Sequence, residues 1–191
     1  MHNNVSRPGQ KVVIMTIAIG LAVMAISSFF YRLQGPVTSS STSASQSVTP
    51  ASMTEGQSAE IQKYMAMLQD DPENIEALSG LGELFMAAES WDKSASFWQR
   101  YLNQKPEDEE ALYHYAIALL NQEKIQNSVA QFEQLVKLNP ESYHGYYYLG
   151  MINVYYLKDP TKGKEYLQKV IDLNPDHKEI LDTVRSELDK I

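Results

Sequence analysis

The sequence predicts an all-α fold, a solenoid of stacked helix pairs, and two observations carry that prediction. Pro72, Pro106, Pro140 and Pro175 recur at intervals of 34, 34 and 35 residues, each closing a helix-like stretch. Between them one apolar pattern returns in the same order. Self-similarity at a period near 34 marks a chain whose two-helix units bury their apolar faces only against their neighbours.

The first full unit supplies Leu78, Leu81-Gly82, Phe85, Ser94, Trp98 and Pro106. The second supplies Leu112, Tyr115-Ala116, Leu119, Ser128, Phe132 and Pro140. The third supplies Tyr146, Leu149-Gly150, then Gly163, Leu167 and Pro175, with one residue inserted in the stretch 157–160. Small residues at Gly82, Ala116 and Gly150 let the two helices of a unit approach closely, while the large apolar ones fill the space between units. Upstream, Ile61, Tyr64, Met67 and Leu68 fall at helical spacing and match only the second helix of a unit. Downstream, Ile180, Leu181, Val184, Leu188 and Ile191 make one apolar stripe on a charged helix. Both ends read as caps, because a bare terminal unit would expose its hydrophobic face. Asp159-Pro160 suits the start of the last repeat helix, Asp as a cap and Pro at the first helical position.

This pattern resembles the tetratricopeptide repeat: large residue, Leu-Gly, aromatic, small residue, aromatic, proline. The expected fold is therefore a tetratricopeptide solenoid of a half repeat, three full repeats and a C-terminal capping helix, behind one N-terminal transmembrane helix. Asn153 departs from the pattern where the third unit should carry its aromatic. Tyr101, Leu135 and Val170 stand where alanine is common, which predicts looser or rotated packing there.

All 24 acidic residues lie from Glu55 onward; removing Arg7, Lys11 and Arg32 from the 16 basic residues leaves 13 there, a charge of −11. That acidity repels phosphate backbones, argues against nucleic acid, and serves either solubility or a basic or neutral partner. No cysteine occurs, which excludes disulfides, thiol-attached haem and cysteine-based metal or redox sites.

Residues 12–31 are uncharged and apolar apart from Thr16, Ser27 and Ser28. Those 20 residues would span roughly 30 Å as a helix, about the hydrocarbon thickness of a bilayer. Two readings stand, a retained anchor and a cleaved secretory signal with Ala25-Ile26-Ser27 as its weak cleavage site. The run ends in Phe29, Phe30, Tyr31 and Arg32, the aromatic and basic boundary of an anchor. Arg7, Lys11 and the terminal amine keep residues 1–11 in the cytoplasm, and either reading sends the repeats across the inner membrane to the periplasm. Residues 32–57, rich in Ser and Thr, form an expected disordered tether with a reach of roughly 28 Å; the repeat domain follows at 58–191.

No catalytic constellation stands out, no cofactor is expected and no metal site is expected. His2, His114, His144 and His177 include no pair at ligand spacing on one helix, and no glycine-rich phosphate loop precedes a helix. His114 and His144 sit on first helices of adjacent units, where a partner-bonding histidine is the competing reading. Glu107 to Glu110 cluster at a helix start and favour its dipole.

The tetratricopeptide resemblance places first helices on the concave side of the superhelix. Counted from the packed residues, the inward positions are Ser79, Glu83 and Met86 in unit one; Tyr113, Ile117, Leu120 and Asn121 in unit two; and Tyr147, Met151, Val154 and Tyr155 in unit three. Most are large and apolar, which suits a peptide-binding groove. The competing reading is core, because Tyr147, Met151 and Tyr155 at i, i+4 and i+8 also describe a stripe packed on the C-terminal helix. The groove lacks the Lys and Asn cluster with which chaperone adaptors hold a terminal carboxylate.

The N-terminal apolar segment, the tether, Leu68-Gln69-Asp70-Asp71-Pro72-Glu73-Asn74 and Phe97-Trp98-Gln99-Arg100-Tyr101-Leu102 together resemble membrane-anchored bacterial tetratricopeptide subunits of the cytochrome c haem-ligation system, of the NrfG and CcmI type. That resemblance implies a non-enzymatic module that holds a peptide or protein client, there an apocytochrome, for a membrane-associated assembly machine. The same architecture resembles translocon-associated periplasmic subunits of the YfgM type, and a permanent scaffold or homo-oligomer is the alternative.

Overall fold

The structure, a computed structural model, describes residues 55–191. Among them run α1 (Glu55–Asp70), α2 (Ile75–Ala87), α3 (Trp91–Gln104), α4 (Glu109–Asn121), α5 (Ile125–Leu138), α6 (Tyr143–Ile152), α7 (Pro160–Leu173) and α8 (Lys178–Leu188), with a π-helical turn, Asn153–Leu157, continuing α6. Pairs α2–α3, α4–α5 and α6–α7 are the three full repeats. The lone α1 and α8 are the half repeat and the cap, and α1 begins three residues ahead of Ser58. The expected N-terminal segment 1–11, anchor 12–31 and most of the tether 32–57 lie outside the described residues. Among the described residues, no helix is long and apolar enough to cross a membrane.

The proline period has a local cause. Two residues beyond each of three prolines stands a capping side chain: Asn74 accepts from the Ala77 N–H at 2.9 Å, Asp108 from Ala111 at 3.0 Å and Ser142 from Gly145 at 3.4 Å. Proline ends one helix and the cap opens the next, so each pair of residues sets a repeat boundary. The proline carbonyls also join neighbouring units, since Pro72 O accepts from Arg100 and Pro106 O from Gln134, each 28 residues later. Asp159 caps α7 through the Lys162 N–H at 2.9 Å, with Pro160 at the first helical position, as expected.

Small residues sit at each intra-repeat crossing. Ser94 Oγ donates to Gly82 O at 2.9 Å, and Ser128 Oγ to Ala116 O at 2.8 Å, both fully buried. In the third unit glycine replaces that serine, and a Cβ on Gly163 would stand 3.1 Å from Gly150 O. The α6–α7 backbones therefore approach closely because both positions lack a side chain. Leu78, Trp98, Leu112, Phe132, Leu149 and Ile152 belong to one apolar cluster running through all three units.

Three expectations are corrected. The inserted residue falls in the π-helical turn, ahead of Lys158, so of the expected stretch 157–160 only Leu157 belongs to it: left-handed turn residues Glu89 and Glu123 are followed by Lys158, 34 and then 35 residues on. A π turn absorbs one extra residue inside a continuing helix. Buried Asn153, at 1% exposure, is held there by a bond from its Nδ2 to Leu149 O at 2.7 Å. Tyr101, Leu135 and Val170 are not loosely packed, because all three are buried. Tyr101 also donates to Asp108, the cap of α4, at 2.9 Å, and burial together with that bond pushes its hydroxyl up to about 12. Finally, Ile191 lies beyond the end of α8 and is exposed, while Glu187 joins Leu181 and Val184 on the buried face.

Candidate functional site

The first helices of units two and three bring their opening turns together, because Asp108 and Ser142 cap α4 and α6 at equivalent positions. Tyr113 of α4 is the centre of that junction. Its ring centroid lies 6.3 Å from Phe132, 5.9 Å from Tyr148 and 5.6 Å from His144, in edge-on and tilted contacts. Tyr143 packs 4.0 Å from His144 and 5.4 Å from His177. His114 stacks on Trp98 at 5.1 Å. The histidines of adjacent first helices are thus joined through tyrosine rings, and no group of three metal-ligating side chains occurs among the described residues.

Beside this aromatic cluster opens a cavity of about 480 Å³, whose lining includes Tyr113, Tyr143, His144, Glu109, Glu110 and Glu141. Only Tyr113 of these was expected on the inward face. Glu110 and His144 were legible in principle, since they precede Tyr113 and Tyr147 by three residues and share their helix faces. Tyr143 and Glu141 required the fold, because they come from the loop and the helix start.

His144 keeps an exposed edge, but partial burial among the rings, and then His177, hold it below the ordinary histidine value of 6.5. The unfolded chain therefore takes up the proton first as pH falls, and the domain loses stability through the window between 6.5 and the lower folded value. Thermal melts from pH 8 downward should show that loss, and His144→Gln should flatten this part of the profile.

The remaining expected inward residues divide into two groups. Glu83 and Asn121 are exposed, Met86, Ile117, Leu120 and Tyr147 are half-buried, and Ser79 is half-buried with its Oγ bonded to Ile75 O at 3.1 Å. In unit three the inward surface is partly consumed by packing. Met151 is buried at 8% exposure, and Val154, half-buried, packs on the backbone of Gly163. Val154 stands within the π-helical turn, where one extra residue shifts the helix face. Tyr155 donates its hydroxyl to Glu187 of α8, which also pairs with Lys190 at 2.6 Å. Burial and that carboxylate raise the Tyr155 hydroxyl above its ordinary value.

Residues 110–142 and 145–177 match the family model of the tetratricopeptide repeat. The array is a tetratricopeptide solenoid. It is similar in fold to a MamA protein crystal structure (TM-score 0.62, 20% identity, 71% of this chain and 76% of that one) and to a second MamA crystal structure (0.59, 22%, 68% and 81%). It is also similar to a double mutant of MamA from strain RS-1 (0.59, 19%, 62% of this chain) and spans 66% of that chain's length. At these identities the likeness concerns fold. No curated protein sequence matches significantly.

Proposed function

We propose that the tetratricopeptide domain holds a protein or peptide client along the first-helix face of units one and two and the start of unit three. The observation that carries this reading is the half-buried apolar set Met86, Tyr113, Ile117, Leu120 and Tyr147 on successive first helices, of which Tyr113 also lines the aromatic cavity. Apolar side chains left partly open on adjacent helices gain by being covered, and methionine and tyrosine adapt to varied contacts. The uncharged run 12–31 and the polar stretch 32–57 support work at a membrane, with the repeats in the periplasm. Resemblance to haem-ligation subunits makes an apocytochrome the first client to test, with a translocon partner or a permanent scaffold contact as the alternative.

The test uses partners that co-purify with the full chain. Full burial of a large apolar side chain is worth about 1.5 to 3 kcal/mol, so Ile117→Ala combined with Tyr147→Ala should weaken the partner at least about tenfold in calorimetry. Melting of each variant is the control. An unchanged affinity in a variant that melts like the parent would overturn the groove, and a collapsed melt would assign these residues to the core.

A further inference from the structure

We infer that the cavity between the opening turns of α4 and α6 seats a cationic side chain, arginine or lysine, of the bound polypeptide. This deepens the client-binding reading and rests on it. The cavity wall is aromatic, with Tyr113, His144 and Tyr143 in succession at centroid separations of 5.6 and 4.0 Å. Such aromatic faces accept the flat face of a guanidinium or the stem and head of a lysine. The rim is anionic, supplied by Glu109, Glu110 and Glu141.

Those carboxylates are under-compensated. Among the described residues, no lysine or arginine pairs with any of the three, and none lines the cavity. Glu109 accepts one neutral bond, from Asn139 Nδ2 at 2.7 Å, and Glu110 lies 3.7 Å from His114 Nε2. Partial burial, and then His177, disfavour an opposing positive charge on His144. Three carboxylates around an aromatic wall, on a domain of charge −11, complement a cation and repel a phosphate or a terminal carboxylate. The cavity thus selects against the ligand class that chaperone adaptors take. A client strand crossing the apolar set would fix its register by placing one basic residue here.

The experiment titrates the full chain with Nα-acetyl-arginine amide and follows the Tyr143 and His144 ring resonances by NMR. Saturable shifts are expected, with Nα-acetyl-citrulline amide, the neutral isostere, at least about tenfold weaker. Nα-acetyl-lysine amide should shift the same rings. Raising salt from about 0.05 to 0.5 M should weaken the arginine probe several-fold. Glu110→Gln with Glu141→Gln should reduce its affinity about tenfold, and Glu141→Gln alone, at an exposed loop position, serves if the pair disturbs folding. Equal binding of citrulline and arginine probes, or arginine binding unchanged in a folded carboxamide variant, overturns the inference. These readouts are independent of any client. A cavity that fails them while Ile117 and Tyr147 still govern client affinity leaves the groove standing, and the converse result retires the groove while keeping the cavity.

Discussion

Replacing Phe132 by alanine should lower the unfolding free energy by about 3 to 5 kcal/mol. Phe132 is fully buried and stacks on Tyr148 at a centroid distance of 5.1 Å, with the rings 4° from parallel. It therefore belongs to unit two by sequence and to the junction with unit three by contact. In an array whose stability is the sum of units and interfaces, losing this ring weakens two terms at once. A domain of this size has roughly 5 to 15 kcal/mol in all, so the loss should be a large part of it. Denaturant unfolding of the full chain would show it as a lower midpoint. A midpoint equal to the parent's would mean that Phe132 does not join the second and third units.

Gly150→Leu should destabilise by about 1 to 3 kcal/mol through overpacking. A Cβ at Gly150 would lie 2.6 Å from Leu167 Cδ2 and 2.7 Å from its branch carbon. Leu167 is fully buried, so its branch point has nowhere to move without shifting α7. Gly56 supplies the contrast, because a Cβ there meets nothing within 4 Å and Gly56→Ala in α1 should be neutral or stabilising. If both variants melted like the parent in circular dichroism, the α6–α7 register would be wrong.

The helices and their pairing were legible because the boundary signals repeat: proline, capping residue and small crossing residue return every 34 residues, and each acts locally. Asn153 and the turn after it were not. A sequence with one residue too many does not say whether a loop or a helix absorbs it, and here the helix does so by widening one turn. That choice set Val154 against the backbone of Gly163. Glu187 was missed for a related reason, since a glutamate beside apolar positions reads as solvent-facing until Tyr155 is seen to donate to it. The cavity required units to meet in space: Glu109 and Glu110 belong to one first helix, while Glu141 and Tyr143 come from the start of the next, about one repeat later. Nothing in either stretch alone marks a concavity.

The central claim, that the first-helix face holds a protein client, is tested most directly by site-specific photocrosslinking in the native membrane-containing extract. A benzophenone side chain at Ile117, on the first helix of unit two, is compared with one at Gln99, exposed on a second helix. The account predicts a discrete adduct from Ile117 that Gln99 does not give, lost when Tyr147 is replaced by alanine. Equal adducts from both positions, or none from Ile117 while Gln99 reacts, would contradict it.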